Sequence, residues 1–254
     1  MSNRKAQVHH EAHEDGIHRI VLDRPDARNA ISSQRPAGHS PLRCLVIASS
    51  SACFCAGADL VERKTMSEAE VVAFLAELRR VFDRVAAFPV PTIAAIDGPA
   101  LGGGLELALA CDFRVADSRV QKLGFPEVQL GIIPGAGGTQ RAPRLLGPTK
   151  AKELIYTGRL IDAKLALDWG LLDYVSEKDQ TGTERALELA KGMARSAPLA
   201  LASAKAAINR GQDLELAPAL QWEQACYEEL LPTEDRREAL SAFADKRVPV
   251  FHGR

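Results

Sequence analysis

The chain has 254 residues, 46% of them hydrophobic and 26% charged, which describes a folded protein with one large core and a smaller appended part rather than a disordered one. A formal net charge of −1 argues against a main business of gripping phosphate backbone, so no DNA partner is expected. No run of about 18 apolar residues exists and none follows the N-terminus, which predicts no membrane span, no secretory signal and a cytoplasmic location, with a mitochondrial form left open.

In chain order, Gln7–Ala12 and Ile17–Asp23 read as a hairpin, turned by Asp15-Gly16. His9, His10 and His13 suit a solvated strand and turn better than a metal site, because no Cys or carboxylate spacing supports one. Residues 31–43 hold Ser32, Ser33, Pro36, Gly38, Ser40 and Pro41, poor material for a helix. Strands follow at 44–47, Thr92–Ile96 and Phe113–Ala116, and their near-continuous apolar character predicts a sheet covered on both faces. Between the first two of these lies a helix. Ser67 and Glu70 form a capping box, Val71, Phe74, Leu75, Leu78, Val81, Phe82 and Val85 keep helical spacing, and Pro89 ends it. Strand, helix, strand implies a right-handed parallel crossover. From residue 149 the chain reads as helices over 150–157, 163–168, 183–195, 198–210 and 217–230. Five cysteines with no Cys-x-x-Cys predict reduced thiols.

The chemistry concentrates in three places. Ala56-Gly57-Ala58-Asp59 and Gly98-Pro99-Ala100-Leu101-Gly102-Gly103-Gly104 are small-residue turns after apolar strands, where a ligand can approach backbone closely. If the amides of Ala58 and Gly103 converge, they form a two-donor oxyanion site, aided by the positive end of the helix beginning near Gly104. Tight packing of strand on helix would use the same residues. Glu106, in the first turn of that helix, either complements the helix dipole, worth about 0.3–1 kcal/mol, or does chemistry. Its neighbours Leu105, Leu107, Ala108 and Leu109 favour chemistry, since an unpaired buried carboxylate is expensive. Glu127, in Gly124-Phe125-Pro126-Glu127, taken alone reads as a solvated loop residue. The run Gly135-Ala136-Gly137-Gly138 lacks the Lys-Ser/Thr of a phosphate loop, neither glycine cluster is Gly-x-Gly-x-x-Gly, and no Gly-x-Ser-x-Gly elbow is present.

The stretches 54–60, 91–114 and 124–141, together with Arg24-Pro25-Asp26-Ala27-Arg28-Asn29-Ala30 and the closing Ala242-Phe243-Ala244-Asp245-Lys246-Arg247, resemble the enoyl-CoA hydratase/isomerase, or crotonase, family. Within it the chain looks closest to the methylglutaconyl-CoA hydratase-like branch. The resemblance implies an α/β fold, a spiral of ββα units over 1–195, with a C-terminal helical trimerisation region over 196–254 and assembly into a homotrimer or homohexamer. It implies an acyl-CoA thioester partner, no metal and no cofactor beyond the coenzyme A carried by the substrate. The thioester oxygen would sit between the amides of Ala58 and Gly103. Glu106 and Glu127 match the two catalytic glutamates of hydratases, which add water across C2=C3 of a 2-enoyl thioester. Gly135 would shape the acyl pocket, and Arg28, Ala30, Ala56, Asp59 and Leu60 would line the coenzyme A side, partly by backbone.

The family normally carries an amphipathic helix of several turns where residues 31–43 stand, so adenine-side binding and stability are both expected to suffer. An enoyl-CoA isomerase is the rival within enzymes; it commonly works with one carboxylate, and two are present. A non-catalytic, RNA-binding relative is the rival outside them. It is disfavoured by the net charge and because the lysine-rich segment tied to RNA in relatives of this branch corresponds to the missing helix.

Overall fold

The computed structural model describes residues 7–13, 15–23 and 42–254. The first strands, β1 (Gln7–Ala12) and β2 (Ile17–Asp23), pair antiparallel, with Ala12 opposite His18. Strand β3 (Cys44–Ser49) then runs parallel to β2, as a crossover requires. The connection expected over 31–43 falls almost entirely outside the described residues. Two helices follow, α1 (Leu60–Thr65) and α2 (Glu68–Ala86). The chain continues through β4 (Thr92–Ile96), β5 (Ala100–Leu101), α3 (Gly103–Ala110), β6 (Phe113–Ala116) and β7 (Leu123–Gly124). A 3₁₀ turn over Pro126–Leu130 leads to α4 (Gly138–Leu146) and α5 (Pro148–Thr157). Then come β8 (Leu160–Ile161), α6 (Ala163–Trp169), β9 (Tyr174–Val175), α7 (Gly182–Ala194), α8 (Pro198–Gly211), α9 (Leu216–Glu228) and α10 (Glu234–Ala244).

The main sheet has the order β1-β2-β3-β4-β6-β9, parallel from β2 onward, and a small sheet runs β5-β7-β8. Side chains alternate along a strand, and the two faces of β3 and β4 feed different cores. Ile47, Ala94 and Ile96 pack in a large cluster with Phe82 of α2 and Leu105 of α3. Val46, Ile93 and Ala95 face the other way, onto Ala186 and Ala190 of α7. Every residue of β4 is buried, which is why these strands read as continuous apolar runs.

Helix α2 forms where its pattern places it. Ser67 Oγ accepts from the Glu70 amide at 3.3 Å while Glu70 Oε2 accepts from the Ser67 amide at 2.7 Å, and Leu78 and Phe82 are buried. Ser67→Ala is expected to cost about 1 kcal/mol, read as a lowered midpoint in a thermal or denaturant melt with activity unchanged.

The C-terminal helices are tied to the sheet by a buried ion pair. Lys205 Nζ of α8 lies 2.7 Å from Asp112 Oδ2 and 3.1 Å from the Val90 carbonyl. The same carboxylate oxygen receives the Thr92 amide at 2.7 Å and hydroxyl at 3.0 Å. Asp112 comes two residues after α3, so one carboxylate joins the chain leaving α3, the start of β4 and the middle of α8.

Candidate active site

Strand β4 ends in a turn that sends β5 across to the small sheet, and the chain then enters α3 through Gly102. This residue has φ +51°, and a Cβ there would lie 2.6 Å from Oε1 of Glu127. Only glycine meets both conditions without strain. The backbone of Gly102 is fixed because its amide donates to the Gly124 carbonyl at 2.9 Å, two residues before the 3₁₀ turn that carries Glu127. Helix α3 therefore starts against one carboxylate and carries the other, Glu106, one turn in.

Glu106 is 2% exposed and Glu127 is 9% exposed. Glu127 is thus a buried group on a 3₁₀ turn, not the solvated loop residue its local sequence suggests, because Pro126 and the Gly102 contact turn it inward. Oε1 of Glu106 accepts two backbone hydrogen bonds, from Ala136 at 2.8 Å and Gly138 at 2.7 Å. Burial pushes its pKa up, and the Gly138 and Ala136 amides oppose that rise, followed by the charges of Arg141 and Arg79. Oε2 of Glu127 is buried and has no hydrogen-bond partner among the described residues. Burial is the main reason its pKa climbs to about 7, opposed by its own backbone amide and reinforced by the charge of Glu106. The two carboxylates therefore sense each other, and near neutral pH Glu127 is poised to hold a proton while Glu106 is solvated by amides.

The turn after β3 supplies the third component. Cys55 bridges to Ala100, with its carbonyl accepting the Leu101 amide at 3.0 Å, which pins residues 53–58 onto β5. Gly57 then passes over the start of α3 with φ +86°; a Cβ on it would sit 2.9 Å from the Gly103 nitrogen. A Cβ built on Gly103 would in turn lie 3.3 Å from the Gly57 Cα and 3.7 Å from the Ala58 nitrogen. The amides of Ala58 and Gly103 are thus brought side by side at the N-terminus of α3, and among the described residues neither has a backbone acceptor. Such a pair suits an oxygen that gains negative charge.

The remaining expected residues divide. Gly135 lies beside Leu75, whose Cδ2 would be 3.0 Å from a Cβ there. Ala56 and Asp59 are half-buried and Leu60 is exposed. The Asp59 carboxylate caps α1, accepting from the Val61 and Glu62 amides at 3.0 and 3.3 Å. Arg28 and Ala30 fall outside the described residues. Sequence reasoning missed that Ala136 and Gly138 are the donors to Glu106. The signal was there: a glycine run with no phosphate-loop lysine leaves bare amides for some other anion, and a buried glutamate is one. Cysteine chemistry is disfavoured, since burial holds the thiols of Cys55 and Cys111 up at about 12 and the nucleophile is the thiolate.

Comparison with known proteins shows the family. The family described as Enoyl-CoA hydratase/isomerase matches residues 12–254. The chain belongs to the enoyl-CoA hydratase/isomerase family. It is 55% identical to the Enoyl-CoA isomerase/hydratase fer4 of Mycosarcoma maydis, over 94% of this chain and 93% of that protein. It is 52% identical to the mitochondrial Methylglutaconyl-CoA hydratase of Homo sapiens, over 79% of this chain and 60% of that protein. Its fold is the crotonase fold of this family. The crystal structure of an Enoyl-CoA Hydratase from Bacillus anthracis superposes with a TM-score of 0.90, at 39% identity, over 97% of this chain and 99% of that one. Among the described residues of this enoyl-CoA hydratase/isomerase family member, no helix is long and apolar enough to cross a membrane.

Proposed function

We propose that the protein is a hydratase of 2-enoyl-CoA thioesters, adding water across C2=C3 with Glu106 as base and Glu127 as acid. The observation that carries this reading is the buried Oε2 of Glu127, without a hydrogen-bond partner among the described residues, on a carboxylate that senses the charge of a second buried carboxylate, Glu106. Each part has work to do. Glu106, anchored through Oε1, offers its other oxygen to a water and takes its proton as the oxygen bonds to C3. The electron pair of the double bond moves into the thioester carbonyl, and the enolate oxygen meets the amides of Ala58 and Gly103. Glu127 gives its proton to C2 as the carbonyl re-forms, and solvent later returns the proton from Glu106. Amides aimed at the enolate oxygen lower the barrier more than they tighten substrate binding. No cofactor is called on; coenzyme A enters and leaves as part of the substrate.

The similarity to a methylglutaconyl-CoA hydratase supports a short, branched acyl chain, 3-methylglutaconyl-CoA among them. Large apolar side chains exposed on and after the C-terminal helices, Phe243 at 86% and Val248 at 84%, support association of copies into a trimer or hexamer.

The test is incubation with crotonyl-CoA, following loss of the conjugated thioester by absorbance and gain of one water by mass spectrometry. The raised pKa of Glu127, about 7, sets the sign of the pH profile. Hydration needs that proton, so kcat/KM falls as pH rises through about 7, and it falls again at acid pH as Glu106 is protonated. Dehydration of the 3-hydroxy thioester uses the mirror state, Glu127 ionised and Glu106 protonated to release the hydroxyl as water, and because the reaction takes up no net proton its kcat/KM follows the same pH profile. A second reading rests on the isomerase/hydratase name of the Mycosarcoma maydis relative. Conversion of a 3-enoyl-CoA to its 2-enoyl isomer without mass change, and no water gained by crotonyl-CoA, would replace hydration with isomerisation.

A further inference from the structure

We propose that Arg79 is a positioning residue for this reaction, holding Glu106 in its ionised state through the peptide group that joins Gly135 to Ala136. The inference rests on the assignment of Glu106 as the base. Arg79 Nε donates to the Gly135 carbonyl at 2.6 Å. The other end of that same planar peptide is the Ala136 N–H, which donates to Glu106 Oε1 at 2.8 Å. In a trans peptide the C=O and N–H point in opposite directions, so the guanidinium and the carboxylate sit on opposite sides of one backbone group. A cation on the carbonyl oxygen draws electron density from the nitrogen and makes its hydrogen a stronger donor.

The second donor to Glu106 is built the same way. Gly138 gives its amide at 2.7 Å, and the carbonyl of that peptide, on Gly137, accepts the Gln140 and Arg141 amides at 3.0 and 2.8 Å. There the polarising group is the first turn of α4. Between the two, the Ala136 carbonyl takes Arg141 Nη1 at 3.1 Å, and Arg141 is paired with Asp83 at 2.8 Å. Arg141 thus braces the loop with its charge partly offset, whereas Arg79 has no carboxylate partner among the described residues. Leu75, one turn earlier on α2, lies beside Gly135, its Cδ2 3.0 Å from where a Cβ would stand. The arginines line an open cleft of about 540 Å³ that does not include Glu106 or Glu127 among its walls. The charged groups that bear on Glu106 are Arg141 from α4, Arg79 from α2 and Glu127 from the 3₁₀ turn.

The experiment is the pH profile of crotonyl-CoA hydration in Arg79→Gln, Arg79→Lys and Glu106→Gln beside the parent protein. Loss of the cation raises the pKa of Glu106, so in Arg79→Gln the acid limb of kcat/KM moves up by about half a pH unit and kcat falls about three- to tenfold, the weight of one hydrogen bond. KM for crotonyl-CoA stays within about twofold, because a residue that acts on Glu106 through the backbone changes the proton transfer and not the binding of the thioester. Arg79→Lys, which keeps a cationic donor, returns the limb toward its original position. An equal loss of kcat at every pH with the limb unmoved would mean that Arg79 merely holds the loop, and would overturn the proposal. Glu106→Gln separates this from the reading beneath it: hydration abolished there, with Arg79→Gln unshifted, defeats the relay alone. An acid limb that survives in Glu106→Gln defeats the two-carboxylate assignment and the relay with it.

Discussion

Glu127→Gln is expected to lower crotonyl-CoA hydration by about 10²- to 10⁴-fold, the usual weight of a positioned proton donor, while leaving the fold intact. Glutamine fills the space of the carboxyl group beside Gly102, so no cavity opens. It cannot give up a proton to C2, and its amide nitrogen inherits the position of an oxygen that has no hydrogen-bond partner. Stability separates this loss from unfolding. The folded pKa of Glu127, about 7, lies above the ordinary value of 4.5, so the folded state holds that proton more tightly than the unfolded chain does. The stability this contributes is present in full below about pH 4.5 and is lost as pH rises through about 7. Glutamine does not titrate, so the melting temperature of the variant should fall less between pH 5 and pH 8 than that of the parent. Full activity in the variant would remove Glu127 from the mechanism; a collapsed circular dichroism spectrum would show a structural role instead.

Gly57→Ala is the second large effect. At φ +86° an L side chain is strained, and its Cβ would stand 2.9 Å from the Gly103 nitrogen and 3.0 Å from the Leu101 carbonyl oxygen. Both neighbours are backbone and cannot swing aside, so the turn must lift away from α3. The Ala58 and Gly103 amides then part, and kcat should fall about 10²- to 10³-fold, the cost of losing one donor to a developing oxyanion. Far-ultraviolet circular dichroism should hardly change, because the turn lies outside the main sheet. An unaltered kcat would mean that the enolate oxygen is stabilised elsewhere.

Much of this was legible in the residues. The helix over Glu68–Ala86 announced its start by Ser67 and Glu70 and its buried face by period, and β3 and β4 announced burial on both sides by unbroken apolar runs. The pair of small-residue turns pointed to close backbone approach. What could not be read was the partner of each group. Glu127 looks like a loop residue until Gly102, twenty-five positions earlier, is seen to leave room for its carboxyl. The glycine run at 135–138 has no local signature of its purpose, because the anion it serves is Glu106 on another element. Helices α1, α4 and α10 were also missed. The first is barely over a turn, the second opens on glycine with Pro143 inside, and the third is held by Asp235, whose carboxylate receives the His252 and Gly253 amides at 2.7 and 2.9 Å.

The clamp at Asp112 has a mechanical corollary. Glu106 lies one turn into α3, and Asp112, two residues past the end of that helix, is gripped by Lys205. A displacement of α8 would therefore act first on Asp112 and, through it, on the end of α3. The seat of Glu106 and the docking of the C-terminal helices are in this way joined by one short stretch of chain.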